Sequence, residues 1–291
     1  RFPFAHEDRI EFSVHTGPVG YYYKPLVVWQ VDCHATEESP RAPLPFWSNR
    51  VSVSMGDKAY GLLMADLYGL LVPATTVIGR VFPQFHLGKS THSGESLWIR
   101  TSPQEETPGR YATRRVWEDP FLLMHKEDPD ATKIASMITQ EGVKPNYSGA
   151  LVTDADGRLI IEGKRGEGDR FMVGETGPEE LPSRVQRAVE SFYHKACEVF
   201  GDVRAEWVFN DDEIWCIQLH LGRSPSFGQI IYQGNPSEWI EFPVSRGLET
   251  LRNMLSAIQD RGDGIILQGN VGITGHFAEM LIKAKIPSRL K

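Results

Sequence analysis

The chain has 291 residues, 41% of them hydrophobic and 24% charged, with a net charge of -7. That composition suits a soluble globular protein long enough to bury a sizeable core, and it excludes a broadly basic nucleic-acid-binding surface. No apolar run is long enough for a transmembrane helix.

Cys33, Cys197 and Cys216 lie far apart and form no metal or redox motif. This points to a reducing compartment, with a cytoplasmic location and no membrane or nucleic-acid partner expected. The opening Arg1-Phe-Pro-Phe-Ala-His6 lacks the pattern of a signal peptide.

Residues 1–50 read as a β-rich extension, with strands over Arg9–His15 and Tyr21–Val31 and a polar, proline-bearing loop over Glu37–Pro45. A short strand from Val51 leads to Gly56. A helix follows over Asp57–Tyr68, with Asp57 as N-cap and Gly69 as its stop. Lys58 falls in the first turn, where a cation opposes the helix dipole. A bound phosphate explains it; a solvated lysine is the plain alternative. Leu97–Thr113 runs from a strand into a polar loop. Arg100, followed by the hydroxyls of Thr101 and Ser102, suits phosphate contact. Residues 117–124 read as helical or packed.

Residues 132–177 read as strand, turn, strand, strand, with Asp154-Ala-Asp-Gly157 as a turn and Leu159–Glu162 as a strand. The glycine-rich basic run Gly163–Gly174 is either a loop over phosphates or a plain connection. Leu181–Val199 reads as a helix with Ser183 as N-cap.

The helix feeds Arg204–His220, a β-hairpin around Asn210-Asp-Asp-Glu213. Val203, Ala205, Trp207 and Phe209 share one face by alternation, and Arg204 and Glu206 the other. On the return strand Cys216, Gln218 and His220 are expected opposite Trp215, Ile217 and Leu219. A loop of three or five residues sets Glu206 beside Gln218. A carboxylate beside an amide offers hard oxygen ligands to magnesium; a hairpin with one solvated face shows the same alternation.

After Gly222 a linker (Ser224–Gly228), a strand (229–233) and a helix (248–259) are expected. Residues 263–287 read as a strand, a glycine turn and a helix capped by Thr274, with His276 in its first turn. There a neutral histidine is placed as a nucleophile beside exposed backbone amides; a capping histidine is the alternative.

Five motifs in order resemble the nucleotide-binding part of the pyruvate phosphate dikinase and phosphoenolpyruvate synthase family. They are Met55-Gly-Asp-Lys58 with Gly69-Leu-Leu-Val-Pro73; Leu97-Trp-Ile-Arg-Thr-Ser102 with Glu105, Glu106, Gly109 and Thr113; Ser148-Gly-Ala-Leu-Val-Thr153; Glu206-Trp207 with Gln218; and Gly272-Ile-Thr-Gly-His276 followed by Ile286-Pro287. The resemblance covers about residues 51–291. It implies an α+β, ATP-grasp fold: an N-terminal lobe over 51–125, a C-terminal lobe over 126–222 and a small α/β phosphohistidine-like segment over 223–291. It implies ATP and magnesium as cofactors, with Lys58, Arg100, Thr101, Glu162 and His220 on the nucleotide and Glu206 and Gln218 on the metal. Lys58, Arg100 and His276 are then catalytic, His276 accepting a phosphoryl group on a swivelling domain for an acceptor the sequence does not identify.

Two departures are plain: His220 stands where the family has arginine, and Gly275 where it has serine. Two alternatives remain. One is an ATP-grasp ligase that activates a carboxylate as an acyl phosphate. The other is a non-catalytic nucleotide-binding sensor or docking module.

Overall fold

The computed structural model describes residues 9–19, 24–32, 50–91, 97–105, 110–111, 113–115 and 117–291 (for 9–19, 24–32, 50 and 169 the backbone alone). Tyr21–Tyr23, Cys33, Glu37–Pro45, Glu106 and Gly109 fall outside the described residues. The fold is α+β, as expected. A hairpin of β1 (Arg9–Val19) and β2 (Lys24–Asp32) comes first.

The helices α1 (Arg50–Met55) and α2 (Asp57–Leu67) follow. The expected strand at Val51 is therefore a helix: the Val-Ser-Val-Ser alternation is a weak preference that packing overrides. The N-cap of α2 is Gly56, not Asp57, and the capping oxygen comes from another strand. Ser102 Oγ accepts from the Ala59 amide at 3.0 Å. Gly56 has φ 91°, and a Cβ there would sit 2.3 Å from that oxygen, so the position requires glycine.

β3 (Thr75–Gly79), β4 (Phe85–Leu87), β5 (Leu97–Pro103) and, after α3 (Pro120–Glu127), β6 (Ile134–Glu141) form a first four-stranded sheet, ordered β4-β3-β6-β5 and antiparallel. Along β5 the side chains alternate. Ile99 is buried with Leu123 and Met124 of α3, whereas Trp98 and Arg100 face a cleft.

β7 (Tyr147–Thr153), β8 (Leu159–Arg165), β9 (Val203–Asn210) and β10 (Glu213–Leu221) form a second antiparallel sheet, ordered β10-β9-β7-β8. Between β8 and β9 lie α4 (Asp169–Met172) and α5 (Ser183–Phe200), whose N-cap is Pro182 rather than Ser183. Val185, Val189 and Phe192 of α5 pack on Ala205, Trp207, Phe209 and Leu219, in a core that also takes in Ala59 and Leu62 of α2.

The hairpin differs from the expected one in a way that preserves its key pair. The turn has two residues, Asp211 (φ 47°) and Asp212 (φ 68°), between the paired Asn210 and Glu213. Positive φ at both central residues is the twist-matched hairpin turn. Unaided, that turn would pair Glu206 with Ile217. A bulge between Cys216 and Gln218 absorbs one residue, and Gln218 pairs with Glu206. Below the bulge the faces exchange relative to the expectation. Cys216 pairs with Trp207 and is buried in the core, while Trp215 pairs with Val208 on the face of Gln218 and His220. Since aspartate is strained at φ 68°, Asp212→Gly is expected to raise stability by about 0.5 kcal/mol, read as a higher melting temperature. The exposed Arg184–Asp212 pair (3.2 Å) that is lost offsets little of this.

β11 (Ile230–Tyr232), β12 (Trp239–Pro243), α6 (Leu248–Arg261), β13 (Gly264–Gln268), α7 (His276–Lys283) and β14 (Ser288–Leu290) complete the chain. The third sheet is ordered β11-β14-β13-β12, with β12, β13 and β14 parallel. Phe242, Ile265, Phe277 and Leu281 fill its core. The N-cap of α7 is Gly275; Thr274 is engaged elsewhere. Among the described residues, no helix is long and apolar enough to cross a membrane.

Candidate active site

The polar face of the second sheet is laid out in rows. Glu162, Ala150, Glu206 and Gln218 are aligned across β8, β7, β9 and β10, and Arg204 and His220 lie in the next row. Cross-strand partners share a face, so the small Ala150 leaves space between two carboxylates.

Glu206 is the electrostatic centre. Arg100 Nη2 of the first sheet lies 3.7 Å from its Oε2. The bulge turns a carbonyl to the same guanidinium: Ile217 O accepts from Arg100 Nη1 at 3.3 Å. Burial alone pushes the Glu206 carboxyl up. The charges of Arg100, His276 and Lys58, with that of His220 when its ring is protonated, more than offset this and hold it below the usual carboxylate range. Five of the sequence-derived site residues, from four separate stretches of chain, therefore act on one point, with the N-terminal turns of α2 and α7 adding partial positive charge.

Gln218 is oriented from behind. Asp57 Oδ2 lies 2.6 Å from His220 Nδ1, and His220 Nε2 contacts Gln218 Nε2. With the proton on Nδ1 toward Asp57, Nε2 of His220 accepts from the amide. That leaves Gln218 Oε1 for another ligand. His220 thus supports the amide.

His276 opens α7. Glu279, one turn on, lies 2.9 Å from its Nδ1 and fixes the proton there, so Nε2 carries the lone pair. Burial opposes protonation of His276, but the hydrogen bond and charge of Glu279, with the charge of Glu206, raise its pKa above the ordinary 6.5. The sign follows. The ionic part of this link is complete below the unfolded value and is lost as pH rises through the raised folded value. An NMR titration of the imidazole is expected to give a midpoint above 6.5, and Glu279→Gln to move it downward. A midpoint unmoved by Glu279→Gln would remove this account.

Two sequence-derived residues are placed differently. Thr101 lies on the opposite face of β5 from Arg100, paired with Met137 and buried, with its Oγ1 away from the cleft. A period of two cannot bring both to one ligand. Glu162, expected on the nucleotide, is bound by the chain itself. Its oxygens accept from the amides of Ile273 (3.1 Å) and Thr274 (2.9 Å) and from Thr274 Oγ1 (2.6 Å). It holds the loop before His276 against β8. Cys216 is no nucleophile: burial, with the charge of Glu206, pushes its thiol up to about 12.

The cleft beside Glu206 spans about 760 Å³, open solvent included, between the first and second sheets. Trp98, Gln140, Glu141, Val143, Arg100, Glu206 and Ile217 are among the residues that line it. Sequence reading missed Arg115 and Glu167. These pair across the mouth, Nη1 to Oε1 at 2.9 Å, with Arg115 over the Trp98 ring at 4.2 Å. Glu167 sits in the glycine-rich run, whose composition marks a loop near a ligand without saying which side chain closes it.

Among the described residues no cluster of three or more His, Cys, Asp or Glu forms a metal cage. A magnesium ion at Glu206 and Gln218 would complete its shell with phosphate and water, as that ion commonly does. The residues fit such an ion and a triphosphate: Arg100 Nε is buried with no hydrogen-bond partner, a donor that a phosphate oxygen would satisfy.

No known family model and no curated protein sequence matches the chain. Among solved structures it is similar to D-alanine–D-alanine ligase from Bacillus anthracis complexed with ATP (15% identity, TM-score 0.38, 60% of this chain and 57% of that one). It is also similar to L-amino acid ligase from Bacillus licheniformis (11%, TM-score 0.37, 59% and 44%). A third is phosphoribosylamine–glycine ligase from Thermotoga maritima (15%, TM-score 0.37, 60% and 50%). The chain therefore spans between 44% and 57% of the length of these structures.

Proposed function

We propose that the chain is an ATP-grasp enzyme that binds ATP with magnesium between its first and second sheets and transfers the terminal phosphoryl group. The observation that carries this is the convergence of Lys58, Arg100, His220 and His276 on the single ionised carboxylate Glu206. Such a site neutralises and positions phosphates, which is most of what phosphoryl transfer requires. The base lies at the Trp98–Val143 end of the cleft and the triphosphate at the Glu206 end. Magnesium is held by Glu206 and Gln218, Lys58 and Arg100 take the phosphates, and His276 Nε2 faces the terminal one as acceptor. The lobes over 51–125 and 126–222 and the segment over 223–291 follow the same reading, as does a cytoplasmic location.

A second reading is direct transfer to a carboxylate, as in a ligase, the kind of enzyme that the three similar structures are. The observation in its favour is the grip of Glu162 on residues 273–274, which argues against a histidine that swivels to a distant site.

The test compares ATP turnover in the wild type, Glu206→Ala and His276→Asn. Loss in both variants supports the histidine route. Loss in Glu206→Ala alone supports direct transfer. ATP bound without turnover in the wild type leaves a nucleotide sensor.

A further inference from the structure

A second cavity adjoins Glu279, the partner of His276. It encloses about 620 Å³, partly open to solvent, between β9, the segment after β10 and α7. Among the described residues, Arg204, Arg223 and Lys283 line it, together with the carboxylate of Glu279.

Two structural repeats explain its place. Arg204 and Glu206 share a face of β9 two residues apart, about 7 Å. His276, Glu279 and Lys283 share a face of α7, successive members about one turn, 5–6 Å, apart. The strand and helix steps are therefore nearly matched. His276 acts on Glu206, and one step further along, Glu279 and Lys283 meet Arg204 in the cavity wall. Glu279 belongs to both places, since the same carboxylate engages His276 Nδ1 at 2.9 Å.

The wall is also preset. Asp202 Oδ2 accepts from Arg223 Nε at 2.6 Å and fixes that guanidinium before any ligand arrives. Arginine forks match carboxylate and phosphate oxygens, and a fixed fork loses little freedom on binding. Among the described residues, Arg204, Arg223 and Lys283 set three positive charges against the two negative ones of Glu279 and Asp202, so the field inside is positive.

We propose that this cavity binds the anionic group, a carboxylate or a phosphate ester, of a small second substrate, and holds that substrate beside His276. The substrate role rests on the ATP-dependent reading above; the anion site itself does not. The docked loop is consistent with it, because an acceptor bound here needs no swivelling histidine.

The experiment uses the full chain, isotope-labelled, with inorganic phosphate and acetate as probes titrated separately. Saturable NMR shifts are expected at the Arg204 and Arg223 side-chain N–H groups and at the Lys283 amide. Arg223→Gln/Lys283→Gln, which alters exposed side chains only, is expected to weaken that binding at least tenfold with the rest of the spectrum unchanged. The tighter of the two probes assigns phosphate or carboxylate. No saturable shift at these groups, or equal binding by the variant, overturns the proposal. ATP with magnesium is then titrated into the same sample and read at Lys58, Arg100 and Gln218. Silence there ends the ATP reading without touching the phosphate result, so the two failures are distinct.

Discussion

Glu206→Gln is expected to lower ATP turnover by at least about 10³-fold while the chain remains folded. The substitution keeps shape and removes one charge. Glu206 is ionised because the charges around it, Arg100 first, outweigh its burial, and it is the group of the cluster that can draw a metal ion in among those cations. Removing a single preorganised charge-stabilising group costs about 10²–10³ in rate, and here the metal goes with it. Metal-free ATP is expected to bind the variant at least as well as the wild type, because a repelling carboxylate has gone. Magnesium is expected to stop improving that binding. The wild type carries a pH signature of the same charge. With its pKa depressed, Glu206 contributes stability above the unfolded value, and that contribution is lost as pH falls through the folded value. Turnover within threefold of the wild type, with magnesium still tightening ATP, would show that the carboxylate holds no metal.

Much of this site was legible in the sequence because strands and helices impose simple periods. Alternation on β9 puts Glu206 opposite Trp207, and a glycine turn before an amphipathic stretch puts His276 at a helix start. What the sequence hid is three-dimensional. The Glu206–Gln218 pair was expected from an odd loop. It arises from a two-residue turn plus a bulge at Ile217, and the exchange of Cys216 and Trp215 between faces follows from that one extra residue. Nothing local marks Ile217 as the residue to be absorbed, since the reason is a partner 117 positions away: its carbonyl serves Arg100. The cap of α2 is hidden in the same way, being the hydroxyl of Ser102 on β5. The short strands β12 and β14 have too few residues to show a period, and parallel pairing through β13 gives them their identity. Glu162 was placed on the nucleotide by the resemblance, yet its partners in the structure lie more than a hundred residues downstream.

Glu162→Ala is accordingly expected to release the loop before His276 and uncouple it from the cleft beside Glu206. Three donors converge on this carboxylate, and two are backbone amides of Ile273 and Thr274, which are 5% and 2% exposed. A hydrogen bond to a charged acceptor contributes about 1.5–3 kcal/mol, and a buried amide left without a partner costs about as much. The three are coupled, so the total is about 3–5 kcal/mol rather than their sum. The loss is local, because the third sheet keeps its own core around Phe242 and Phe277. Hydrogen exchange at residues 273–276 should accelerate by at least about 100-fold, since 1.4 kcal/mol is a factor of ten. ATP binding, which uses none of these atoms, should be unchanged, whereas any phosphohistidine formed at His276 should fall at least tenfold. Gly272→Ala supplies an independent route to the same state: a Cβ there would lie 2.1 Å from Glu162 Oε2 and force the carboxylate off the loop. If both variants keep wild-type exchange at Ile273 and Thr274, the loop is held by α7 packing instead, and Glu162 is free to serve the nucleotide after all.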